Sequence, residues 1–180
     1  MLSALGSLAT QQAAPTENKM TLAKQVLNYT STHPVSIITY HASDMVLSNH
    51  SDASYLSESK ARSRDGGHFF ISNNSSILAN NGAVVTISQI IKSVMYYIAE
   101  VELRDPLINF REAIPARHAH KAMGHEQPPT PMQTDNTTAH GVVTNNIASK
   151  RLISMDMKLH WLPCRISPKP FRHYWQPRPN

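Results

Sequence analysis

The chain has 180 residues, 41% of them hydrophobic, enough for one substantial domain with a modest core. Its 17 Lys and Arg outnumber 12 Asp and Glu for a formal charge of +5, a balance that favours an anionic partner such as nucleic acid. A single cysteine, Cys164, excludes an internal disulfide and a cysteine zinc site, and no apolar run approaches the ~20 residues of a membrane span.

Residues 1–14 are small and polar with no basic residue, which does not make a signal peptide; they are expected to be ordered only against something else. Met20, Leu22, Ala23, Val26, Leu27 and Tyr29 lie on one stripe of a helix ending near Thr32, where His33-Pro34 breaks it. Val35 to Tyr40 reads as a short strand. A second strand spans Met45 to Tyr55 and carries Asp52, Phe69 to Ile71 form the return strand, and Ala83 to Ile87 a third, so the three make an antiparallel meander. In the connection from Ser57 to Gly67, the alternating cations Lys60, Arg62 and Arg64 have two readings, contact with a phosphate backbone or a plain solvated loop.

Met95, Ile98, Ala99 and Glu102 share one side of a 3.6-residue period, which turns Glu102 toward the sheet and Glu100 away from it. Pro106 stands four residues beyond Glu102 and cannot supply the N–H that the Glu102 carbonyl would accept, so a kink is expected there. The helical pattern resumes at Leu107, meets a second interruption at Pro115 and ends near Met123-Gly124. His118, His120 and His125 match no zinc spacing and read as solvated or locally hydrogen-bonded. Thr130 to Thr134 is a short strand closed by Asp135, which either caps a following helix or binds a metal. An amphipathic segment from Ile153 to Trp161 and a last strand, Phe171 to Trp175, complete the pattern. No acid follows Asp156, whereas Lys158, Arg165, Lys169, Arg172 and Arg178 do.

An acid within a strand asks for exposure, a hydrogen-bond cluster or a cation. Three carboxylates, Asp52, Glu102 and Asp135, brought together by a sheet and an adjoining helix would repel one another unless divalent cations or protons compensated them. That arrangement suggests a magnesium site.

Several lines of the sequence together resemble the ribonuclease-H-like domain of copia-type retrotransposon polyproteins, preceded by the tail of the reverse transcriptase region. They are Ser51-Asp-Ala-Ser-Tyr-Leu-Ser-Glu-Ser-Lys60, Gly66-Gly-His-Phe-Phe70, Ala99-Glu-Val-Glu-Leu103, Gln133-Thr-Asp-Asn-Thr-Thr-Ala139, Lys158-Leu-His-Trp161 and Tyr174-Trp175. The resemblance implies an α/β fold (α+β by some schemes), a ribonuclease-H-like mixed sheet whose first three strands are antiparallel, with flanking helices and an incomplete C-terminal part. It divides the chain into residues 1–43, the reverse transcriptase or connection tail, and 44–180, a truncated nuclease domain.

By the same resemblance Asp52, Glu102 and Asp135 are the catalytic and metal-binding acids, served by magnesium, which manganese can replace. Lys60, Arg62, Arg64, Asn136 and Arg172 are weaker candidates for nucleic-acid contact. The implied activity is metal-dependent hydrolysis of RNA in RNA–DNA hybrids, in the cytoplasm or nucleus, with a reverse transcriptase domain as a further partner and no membrane. The family's fourth acid follows the Tyr-Trp strand, and the sequence stops at Asn180 before it. With that loss and Pro106, the expectation is a fragment whose hydrolysis is weak or lost; the alternative is a non-catalytic nucleic-acid-binding or structural remnant.

Overall fold

In the computed structural model the described residues are 1–10, 12–58, 60–75, 78–92, 98–135 and 171–175, without the side chains of 98–100, 102, 103 and 173. The elements are α1 (Leu2–Ala9), α2 (Glu17–Thr32), β1 (Val46–Glu58), β2 (Arg62–Ser72), β3 (Ala83–Ile90), α3 (Ile98–Ala122), β4 (Thr130–Thr134) and β5 (Phe171–Trp175). The helix expected after Asp135, the segment Ile153 to Trp161 and Asn136 lie outside the described residues.

The strands form one mixed α/β sheet in the order β3-β2-β1-β4-β5. β1, β2 and β3 pair antiparallel, as the meander requires, while β4 runs parallel to β1 and β5 parallel to β4. Side chains alternate across a strand, so each strand supplies one residue in two to each face. Leu47 of β1, Phe69 and Ile71 of β2 and Ala113 of α3 make the buried core, which places α3 on the odd-numbered face of β1 and β2. β4 and β5 join it: the Phe110 and Phe171 rings lie 4.8 Å apart, and Arg117 of α3 donates to the Pro128 carbonyl at 2.6 Å and to the Thr130 hydroxyl. The opposite face carries the Ser48–Ser72 hydroxyl pair at 2.6 Å and the His50 ring edge-on to Phe70 at 4.8 Å.

Four sequence expectations change. Pro106 and Pro115 do not interrupt the helix, which runs from Ile98 to Ala122 with both inside it, because burial of Val101, Pro106, Phe110 and Ala113 against the sheet offsets the ~3 kcal/mol an interior proline costs, whether or not the axis bends. Val35 to Tyr40 forms no strand, and Ile37 is 82% exposed. Among the described residues its β-forming composition pairs with no strand. Much of the expected loop from Ser57 to Gly67 is strand, because β1 and β2 stay paired out to Glu58 and Arg62. The connection left between them is tight, with Lys60 and Ala61 both at positive φ (61° and 51°). Finally, the first residues form α1, packed on β3, although neither α1 nor α2 buries a residue.

Arg64 explains how α1 is held. Its guanidinium donates to Glu58 at 2.7 Å, to the Ser88 carbonyl and hydroxyl at 3.2 and 3.0 Å, and to the Ser3 carbonyl and Ser7 hydroxyl of α1 at 3.3 and 3.4 Å. Gly6 lets the helix come this close, since a Cβ there would sit 3.0 Å from a guanidinium nitrogen. Arg64→Met is expected to lower the unfolding free energy in urea by about 3 kcal/mol, because it strands Glu58 largely buried. The same change should expose α1 to limited proteolysis.

Candidate functional site

The parallel pairs Asn49↔Met132 and His50↔Gln133 share one offset between β1 and β4. Carried forward two residues, it brings Asp52 alongside Asp135, just past the carboxyl end of β4 and midway along β1. Ser51 donates to the Gln133 carbonyl across the same seam at 3.3 Å, and the Trp175 indole N–H of β5 donates to the Asp135 carbonyl at 2.8 Å. Alternation gives Asp52 and Asp135 one face in common, since His50 and Gln133 precede each by two residues. Asp52 is exposed and Asp135 half-buried. Their shared face is the one opposite α3, so the fold does not bring the expected third acid, Glu102 of α3, together with them; the Glu102 side chain is outside the described set.

The acids that α3 and the sheet bring together are others. Asp65 of β2 is fully buried and Asp105 of α3 is 3% exposed. Asn109, one turn after Asp105, donates to the Asp65 carboxylate at 3.3 Å, to the Asp105 carboxyl at 3.2 Å and to the Asp105 carbonyl at 3.0 Å. Its oxygen accepts from the Asn49 amide at 3.2 Å, and Gln89 of β3 donates to Asp65 at 3.1 Å. Burial, then a hydrogen bond from Asp105 to Asp65 and the charges of Asp65 and Asp52, hold the Asp105 carboxyl well above the usual carboxylate range, with Ser51 opposing. Sequence reasoning passed over this network. The available signal was spacing: Asp105 follows Glu102 by three residues and Asp65 precedes Phe69 by four, on the inward faces of their elements.

On the other face His50 is pushed down to about 4 by burial and by His68, so it is neutral at physiological pH and packs as an aromatic. Gln133 accepts from the Tyr174 hydroxyl at 3.1 Å, and burial pushes that phenol up to about 12.

The basic candidates separate. Lys60 and Arg172 are exposed, Arg62 is half-buried, and Arg64 is buried on the face of β2 opposite α3, where α1 covers it and Glu58 pairs with it. Among the described residues no group of three His, Cys, Asp or Glu side chains is disposed to hold a metal ion, a set that does not include the side chain of Glu102. No described helix is long and apolar enough to cross a membrane. Comparison with protein-family models, with curated proteins and with solved structures gave no match.

Proposed function

We propose that the chain is a ribonuclease-H-like fragment of a copia-type retroelement polyprotein whose ancestral activity is metal-dependent hydrolysis of the RNA strand of RNA–DNA hybrids. The observation that carries the reading is the parallel β1–β4 pairing, whose offset at His50↔Gln133, carried two residues on, brings Asp52 in mid-β1 alongside Asp135 just past the carboxyl end of β4. That is where open sheets of this kind bind ligands. The sheet supports it further, since a mixed sheet whose first three strands run antiparallel is what the resemblance implies.

Asp52 and Asp135 are the residues that would hold a divalent cation, hard oxygen donors of the kind that magnesium or manganese takes, while Glu102, the third acid of the resemblance, belongs to α3 on the other face of the sheet. When bound, such ions lower the pKa of an attacking water and offset charge on the leaving 3′ oxygen. The chain's own part is placement. Ser51 ties β1 to β4 beside the two strand acids, and the Trp175 indole ties Asp135 to β5. Exposed Lys60 and Arg172 favour backbone phosphates without reading bases, so little sequence preference follows.

Activity is expected to be weak, since the third acid of the resemblance does not join the two strand acids. Pro106 also deprives the Glu102 carbonyl of its helical donor. The test is release of labelled RNA from a hybrid with magnesium or manganese, for the wild-type chain beside Asp52→Asn. Slow turnover lost in the variant by a factor of about 100 or more, the scale of losing one charge-stabilising group at a reacting centre, supports the reading. Turnover unchanged by the substitution sinks it. Binding of hybrid that survives chelation and falls steeply with salt, without any cleavage, marks the non-catalytic remnant instead.

A further inference from the structure

We propose that Asp65 and Asp105 form a buried proton-binding site: Asp105 keeps its proton and donates it to the Asp65 carboxylate, and this single shared proton fastens α3 to the sheet. The inference is independent of any nuclease activity.

The geometry leaves little choice. The Asp65 and Asp105 carboxyl groups, one fully buried and the other 3% exposed, accept from the same Asn109 side-chain nitrogen at 3.3 and 3.2 Å, which holds them side by side in the interior. A hydrogen bond between them requires a proton on one side, because two carboxylates offer only acceptors. The other donors to the pair are neutral, the Asn109 amide on both acids, the Gln89 amide on Asp65 and the Ser51 hydroxyl on Asp105, and these stabilise one negative charge but not two. From β1 the Asp105 carboxyl also meets the charge of Asp52, from β2 Asp65, from its own helix Asn109. From β3 the Gln89 amide reaches the pair, and β4 lies beyond β1. Arg64, next to Asp65 in sequence, is engaged by Glu58 and Ser88. Glu102, one turn before Asp105, is among the side chains not described.

Losing the proton puts a second charge into this layer and replaces the Asp105–Asp65 bond with repulsion. Asn109 is the hinge of the same contact: it joins the acids to Asn49 of β1 and to the Gly66 carbonyl of β2. Deprotonation therefore loosens the part of α3 that lies over β1 and β2.

The direction with pH follows from linkage. A carboxyl that binds its proton more tightly in the folded chain than at the ordinary value of about 3.9 contributes stability that is complete below that value and disappears as pH rises through the raised one. His50 works the other way, since its lowered value of about 4 makes stability rise with pH up to about 6.5, the ordinary value for histidine. Comparing a variant with the wild type cancels the His50 contribution.

The experiment is thermal melting of the full chain in chelator from about pH 5 to pH 8, for the wild type and for Asp105→Asn, whose amide still donates to Asp65 but cannot ionise. Expected is a wild-type melting temperature that falls relative to the variant by roughly 3–5 °C per pH unit in the window where the proton is lost. Equal pH profiles overturn the proposal. In parallel, the wild-type chain labelled with ¹³C at aspartate carboxyl carbons is titrated by NMR, which does not depend on the variant folding. One aspartate that titrates well above the ordinary carboxylate value is the expected result; all aspartates titrating at the ordinary value overturns it.

Discussion

Alanine at position 67 is expected to lower the stability of the domain by about 3 kcal/mol, near the top of the range for overpacking a tight interior. A Cβ on Gly67 runs into the Asn109 side-chain oxygen and comes within 3.2 Å of its Cγ and 3.3 Å of the Phe69 ring. Asn109 cannot give way without releasing Asn49 on one side and both buried acids on the other. The cost therefore combines steric displacement with several interior donors and acceptors left unmade. Urea denaturation reads it directly as a lower midpoint. Gly66→Ala is the control, since a Cβ there meets only the Asp52 carbonyl, at 3.1 Å, and should cost distinctly less.

Phe69→Ala is the second large effect, expected at 3–5 kcal/mol by comparison with other buried aromatic truncations. The Phe69 side chain is almost fully buried, and with Leu47, Ile71 and Ala113 it forms the one layer that joins β1, β2 and α3. Removing it leaves a cavity that α3 cannot fill without carrying Asp105 and Asn109 out of register with Asp65. The measurement is again the unfolding free energy, and Val84→Ala, on the partly exposed edge strand, should lose less than about 1 kcal/mol. Equal losses at the two positions would argue against the core as described.

The sheet was legible because its evidence is local. Alternation and turn residues around Asp52, Gly66-Gly67 and Ala83 are enough to give an antiparallel meander, and Thr130 to Thr134 and Phe171 to Trp175 stand out as isolated β-forming runs. What the pattern could not supply was anything decided by burial. Proline rules predict a kink at Pro106, but they do not know that the proline will be packed under the sheet. Val35 to Tyr40 has strand composition but pairs with no strand among the described residues. Acids are surface residues by default, so Asp65 and Asp105 carried no signal that they would meet in the interior, and the cations of the 57–67 connection read as solvated or as phosphate contacts, neither of which foresees Arg64 packed between Glu58 and α1. For the strand acids the sequence offered identity, while their alignment across β1 and β4 came from the register.

That parallel register also sets an order of assembly. β1, β2 and β3 can zip together from neighbouring segments, but Asn49 finds Met132 only after the whole of α3 has been laid between them. Non-local closure of this kind is slow, because the entropy of the long loop is spent before the pairing repays it. Until β4 arrives, the flank of β1 stands open, and the newly made chain passes through an interval in which a stray strand from another molecule competes for the same row of backbone groups.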